Sequence, residues 1–387
     1  MTLTLVRLAT ITFTALVPSL AQQYDLILRG GRVLDGTGNP WFTADIAIRD
    51  GKILRIGNLA AASAPKIIDV RDKYVVPGFI DLHSHSDRDL SDPGRRTNFG
   101  MVSQGITTSV VNQDGRSPMW PISGQRALYE KQGIGNNAVL MVGHGTVREK
   151  VLGLRVREKP ADRDLEAMKA LVAEGMKDGA WGLSAGLEYF PGLFSDTAEL
   201  IELVSIIGPF GGVYISHERS EGKDPMWKTA SDTTAAVTLL DAVQETIEIG
   251  RQTGVTVVCS HIKAKGASYW GSGYAAVRLI QEAREQGVPV FADQYPYETS
   301  GSDGATVLMP LWAIAAPAEK VEGQLDRGGG NRFRNAKENL LARLADPSTA
   351  VRIRRDIAHE IDRAAALPAS LSTSTPTPGT WASHWLI

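Results

Sequence analysis

His83 and His85 stand two residues apart in PGFIDLHSHSD, at the end of a short apolar run. On an extended backbone, residues i and i+2 project to the same side. The two imidazoles would then be presented together, as ligands for zinc or a similar cation. A pair of this kind also occurs on ordinary surfaces and decides nothing alone. His217 in GVYISHERSEG and His261 in VTVVCSHIKAKG also stand where an apolar run gives out. Asp114, in ITTSVVNQDG, ends another such run. Its carboxylate suits a ligand shared by two ions, and its alternative is to cap a loop. Histidines that converge from separate strands onto one face are hard to explain as satisfied core residues, which leaves a metal centre.

The elements that must position these residues follow a rhythm. After Pro77 come VVPGFIDL, ITTSVVN, NAVLMVG, AWGLSAG, GVYIS, VTVVCS and VPVFAD, apolar runs of strand length. Amphipathic stretches such as RDLEAMKALVAEGMKDG, TLLDAVQETIEIGRQTG and YAAVRLIQEAREQG separate later runs, each ending at a glycine able to cap a helix. Alternating strand and helix with continuous apolar runs predicts an α/β fold with a parallel sheet, open or closed. Five of the seven histidines lie at the ends of runs. Strand ends share one face in a TIM-type (β/α) barrel, whereas an open dinucleotide-binding sheet would carry Gly-x-Gly-x-x-Gly after its first strand. That motif is absent there, and the barrel is favoured.

A barrel needs eight strands, and seven runs are legible. After Asp293 come GATVLMPLWAIAAPA, a charged stretch from about residue 321 to 366 that reads as helices, and a Ser/Thr/Pro-rich tail over 367–387, read as disordered. The expectation is therefore an incomplete barrel over 76–366, its eighth strand missing, with unpaired edges on the first and seventh strands. Residues 22–75 alternate apolar and polar positions with Gly-Gly, Asp-Gly and Pro-Gly punctuation, the pattern of a small β-structure. Residues 1–21 combine Arg7, an apolar stretch and Ser19-Leu20-Ala21, which reads as a signal peptide and predicts a periplasmic or secreted protein.

Composition narrows the classes. The 387 residues hold 41 Lys+Arg and 43 Asp+Glu, with a net charge of −2, so no basic field invites nucleic acid. No apolar run reaches the roughly 18 residues of a membrane-spanning helix, so no membrane partner is expected of the mature chain. Cys259 is the single cysteine and cannot form an internal disulfide; packing is its expected role.

The stretches PGFIDLHSHSD, QGITTSVVNQDG, VGHGTVR, GAWGLSAGLEYFPG, YISHERSEG, SHIKAKG and DQYPYETSGS, in this order from about residue 24 to 315, resemble the N-acyl-D-amino-acid deacylases (D-aminoacylases) of the amidohydrolase superfamily. The resemblance implies a barrel flanked by a β-sandwich built from both chain ends, of which residues 22–75 would be part. It implies Zn2+, one or two ions, with His83 and His85 as the first-strand pair and His217 and His261 at the tighter site. Family members bridge the metals with a cysteine where this chain has Asp114, a harder ligand. The resemblance further implies that Lys263 anchors the carboxylate of a small-molecule N-acyl amino acid, with Tyr295 and Ser300 or Ser302 in the same pocket. Lys263 as a solvated charge and Tyr295 as a packing ring are the alternatives. The family base is an aspartate at the end of the eighth strand. Asp303, in GSDG, is the candidate, although it follows YPYE directly and so belongs to the loop of the seventh strand. A family-like C-terminal end is missing, and a frameshift or early stop near residue 365 would account for that. His144 is expected to make a structural hydrogen bond, and Glu218 and Arg219 to support the ligands.

The implied reaction is hydrolysis of the amide of N-acyl-D-amino acids by metal-activated water, by a hydrolase acting on non-peptide C–N bonds. Two other readings stay open: a related amidohydrolase opening a cyclic amide or cutting a small peptide, and a truncated remnant that binds metal without turnover. The fourth run offers no lysine of the kind a ring-opening enzyme would carbamylate. The oligomeric state is not legible.

Overall fold

A computed structural model describes residues 24–230, 235–297, 309–314 and 336–364. The expected signal peptide of residues 1–21, Ser300, Ser302, Asp303 and the tail expected over 367–387 lie outside the described residues. The chain divides into two compact units, Met1–Gly78 and Phe79–Ile387.

In the first unit, β1 (Leu26–Val33) is central to a five-stranded sheet. It pairs antiparallel with β2 (Phe42–Arg49) and parallel with β4 (Lys66–Asp69) and β5 (Tyr74–Val75), while β2 pairs with β3 (Lys52–Gly57). Asp50 and Gly51 turn the β2–β3 hairpin with φ of 51° and 70°, as the Asp-Gly pair predicts.

In the second unit the seven apolar runs all become parallel strands. These are β6 (Phe79–Asp81), β7 (Ile106–Val111), β8 (Asn137–Leu140) with β9 (Val142–Gly143), β10 (Gly182–Gly186), β11 (Val213–His217), β12 (Thr256–Cys259) and β13 (Val290–Ala292). They pair in chain order, β6-β7-β8 in one sheet and β9-β10-β11-β12-β13 in the other. The third run is split because Asn112 Nδ2 donates to Met141 O at 3.0 Å and takes that carbonyl from the ladder. Among the described residues no pairing joins β6 to β13, the two strands whose edges the incomplete barrel leaves unpaired, and the fold is α/β with two parallel sheets of barrel-like strand order.

Alternation along the strands divides the core in two. Val110, Met141, Ile215 and Val258 cluster on one side of the sheet. Val111, Leu183, Tyr214, Val257, Cys259 and Val290 join the larger cluster with the helices. Strands buried on both faces must read as continuous apolar runs, which is why the sequence displayed them. The helices are α1 (Asp87–Ser91), α2 (Phe99–Val102), α3 (Ile122–Gln132), α4 (His144–Leu152), α5 (Asp162–Lys177), α6 (Thr197–Ile207), α7 (Leu239–Thr253) and α8 (Ser272–Glu285), followed by α9 (Leu311–Ile314), α10 (Ala336–Leu344) and α11 (Pro347–Ala364). The packed helix α7 begins at a reciprocal cap between Thr238 and Asp241 and stops at Gly254, φ 67°. Cys259 is buried in the core and free, in the packing role expected of it.

Register brings the strand ends side by side: Gly186 stands opposite His217, and Ser216 opposite Cys259. No helix among the described residues is long and apolar enough to cross a membrane.

Candidate metal centre

β6 ends at Asp81, so His83 and His85 lie just past the strand rather than on it. Ser84 N still donates to Val110 O at 2.9 Å, which prolongs the extended course, and His83 N is held by Asp81 Oδ1 at 3.1 Å. The two rings meet all the same, with Nε2 atoms 3.3 Å apart. Asp114 follows β7 with φ 55°, a left-handed conformation that aspartate tolerates better than most side chains. It rests on the end of β10, where a Cβ added to Gly186 would lie 2.4 Å from Asp114 O. Glycine is therefore required at 186 for this approach. His217 is the last residue of β11. His261, beyond β12, also takes a left-handed φ of 40°, and its N donates to Asp293 Oδ1 at 2.5 Å.

All five predicted ligands come together around the Asp114 carboxylate. Its Oδ1 is 3.3 Å from His83 Nε2, 3.4 Å from His217 Nδ1 and 4.0 Å from His261 Nε2, and its Oδ2 is 3.4 Å from His85 Nε2. Two donors held tetrahedrally by one zinc at ~2.0–2.1 Å stand roughly 3.3 Å apart, so most of these separations are those of donors sharing an ion. The hydrogen bonding agrees. Asp114 Oδ1 and His217 Nδ1 are buried and have no hydrogen-bond partner. Leaving such atoms unsatisfied costs about 1–3 kcal/mol each, and a cation between them would satisfy both. The donor set therefore fits zinc, and Asp114 acts here as more than a loop cap.

Charge points the same way. Burial opposes it, yet the Glu221 and Asp114 carboxylates push His217 up to about 10. A proton there supplies positive charge that a divalent ion can replace. Burial, with the positive charges of His217 and Lys263, pushes His261 down to about 2, keeping its ring in the neutral form that binds metals. Against burial, His217 above all holds Asp114 well below the ordinary carboxylate range. His85 is the most exposed ligand candidate, its side chain 62 % accessible, and its hydrogen bond to Asp114 raises it.

Three carboxylates and a serine stand behind the histidines, and sequence reasoning gave none of them a role. Glu221 Oε1 lies 3.2 Å from His261 Nδ1, and Glu188 Oε2 lies 3.5 Å from His217 Nε2. His83 Nδ1 bonds Ser260 Oγ at 2.7 Å, and Ser260 in turn donates to Asp293 at 2.9 Å. The available signals were an acid four residues after His217, an acid just beyond the fourth run and the acid that ends the seventh.

Lys263 is buried and ion-paired with Glu221, which overturns its reading as a solvated charge. Its Nζ stands 5.5 Å from the centre of the Tyr295 ring. Glu218 and Arg219 do not support the ligands as expected. Glu218 accepts from Thr246 Oγ1 at 3.0 Å and Arg219 pairs with Glu245 at 2.8 Å, both directed at α7. His144 bonds Glu199 at 2.8 Å in a fully buried pair, a structural hydrogen bond.

The sequence model of the amidohydrolase family matches residues 66–292. An N-acyl-D-glutamate deacylase of Alcaligenes xylosoxydans xylosoxydans is 34% identical over 313 residues, covering 75% of this chain and 60% of the relative. This chain thus spans less than two thirds of that protein's length. The crystal structure of an N-acyl-D-glutamate deacylase from Bordetella bronchiseptica, complexed with zinc and a phosphonate mimic of the tetrahedral intermediate, superposes with a TM-score of 0.66 at 27% identity, covering 88% of this chain and 74% of that one. A D-aminoacylase studied for its binuclear metal centre superposes with a TM-score of 0.65 at 30% identity, covering 82% of this chain and 69% of that one. With the strand order and ligand geometry above, these likenesses establish that the chain belongs to the amidohydrolase family, in the group that holds the N-acyl-D-amino-acid deacylases.

Proposed function

We propose that the protein hydrolyses the amide bond of N-acyl-D-amino acids in a zinc-dependent reaction. The observation that carries this reading is the Asp114 carboxylate, its Oδ1 buried, faced by nitrogens of His83, His85, His217 and His261. Asp114, His217 and His261 would hold one ion, and His83 and His85, sharing Asp114, a second. Zinc at such a site activates water near neutral pH and polarises the scissile carbonyl.

The chain's own groups do the rest. The neutral ring of His261 and the carboxylate of Asp114 set the charge of the site. Lys263 and Tyr295, beside the ligands, form the side on which a substrate carboxylate would be met, orienting the amide toward the metal ligands. Ser300, Ser302 and the candidate base Asp303 lie outside the described residues. Asp303 would take the attacking water's proton and return it to the leaving amine.

The test is amine release from N-acetyl-D- and N-acetyl-L-amino acids by the purified chain with added zinc, with His261→Ala as control. The expected result is turnover of the D-substrates that the variant loses. Absence of turnover from folded, zinc-loaded protein would sink the catalytic reading and favour metal binding without hydrolysis.

A further inference from the structure

His261 has two ring nitrogens and two neighbours competing to define them. Nε2 faces Asp114 Oδ1 at 4.0 Å, while Nδ1 lies 3.2 Å from Glu221 Oε1 and 3.1 Å from Lys263 Nζ. A neutral imidazole carries one proton, so Nδ1 can donate to Glu221 or accept from Lys263, never both. If Nδ1 donates, Nε2 presents a lone pair toward Asp114 and can ligate. If Nδ1 accepts, Nε2 carries the proton and cannot. The groups packed around this choice are Glu221, Lys263, Lys265 (Nζ 3.6 Å from Glu221 Oε2) and His217 (Nε2 3.7 Å from Glu221 Oε1).

We infer that Glu221 is a positioning residue that selects the metal-binding tautomer of His261, both by accepting from its Nδ1 and by occupying the Lys263 ammonium that would otherwise donate to it. This rests on the metal reading above. Glu221 is suited to the double task because it is buried and its Oε1 contacts both partners. The backbone fixes the triangle too. Lys265 N donates to Glu221 O at 2.7 Å, and Gly222 bridges to Lys265, so the loops carrying Glu221 and Lys263 cannot drift apart independently. A carboxylate on the free nitrogen of a ligating histidine sets its orientation and basicity, and its loss typically costs 10–100-fold in metal affinity.

The experiment measures zinc affinity by chelator competition and reads the His261 tautomer from 15N-histidine spectra of metal-free protein. Glu221→Gln should weaken zinc about 10–100-fold and move the His261 proton from Nδ1 to Nε2. Adding Lys263→Met to that variant should restore part of the affinity, because the competing donor is gone. Lys263→Met alone should leave both the tautomer and the affinity as they are. An unchanged tautomer and zinc affinity in Glu221→Gln would overturn the inference, and so would a double variant no better than Glu221→Gln. If Glu221→Gln fails to fold, Lys263→Met decides: a tautomer change there contradicts the assignment. Should the unmutated chain bind no zinc, the metal reading falls, while the metal-free spectra still decide what Glu221 does to His261.

Discussion

Asp114 concentrates the logic of the site in one side chain. Four imidazole nitrogens converge on it, and its own backbone is held left-handed against Gly186. The motif resemblance implies a bridging thiolate at this place, and a carboxylate is the harder ligand. Asp114→Cys should therefore shift competitive loading toward zinc and away from manganese, measured by metal analysis after equilibration with both ions. An unchanged ratio would mean that the histidines alone set the preference. At this scale the histidines and Asp114 were legible because ligand types at run ends stand out. Glu188, Glu221 and Asp293 were not, because an acid beyond a strand end looks the same in sequence whether it faces water or a buried imidazole.

At the scale of elements, the strand ends are kept in place by pairs well away from the ligands. Glu199 of α6 binds both His144 and Arg148 of α4, all three buried, and so ties the helix after β9 to its neighbour. Removing one member of a buried ion pair costs about 3–5 kcal/mol, and Glu199→Gln should destabilise the chain by that order in urea unfolding. Burial opposes it, yet the hydrogen bond from His144 and the charge of Arg148 hold the Glu199 carboxyl below its ordinary 4.5. The folded state then binds fewer protons than the unfolded state. The contribution is present above pH 4.5 and is lost as pH falls below that through the folded value. The Gln variant should lack this acid limb; a parallel pH profile would refute the assignment. The seven runs were readable as strands because burial on both faces leaves no polar alternation. The break at Met141 was not, since it depends on Asn112, in the loop after another strand. Nor was the early end of β6, because the extended course continues past Asp81 through the Ser84–Val110 bond.

For the whole molecule, a metal that binds only the folded chain adds to its stability. With free zinc at 100 times its dissociation constant this amounts to about 2.7 kcal/mol. Chelation should lower the unfolding midpoint accordingly, and should lower it less in His261→Ala. The sequence displayed the α/β order of the second unit and the hairpin of the first. It could not display the division of the parallel strands into two sheets, which depends on pairing between strands. The central claim is that a nitrogen-and-oxygen centre built on Asp114 binds zinc, and zinc X-ray absorption of the loaded protein tests it most directly. The account predicts a shell of nitrogen and oxygen neighbours at about 2.0–2.2 Å, weakened in His261→Ala. A sulfur neighbour at about 2.3 Å would place the ion on Cys259, the single thiol, and contradict it.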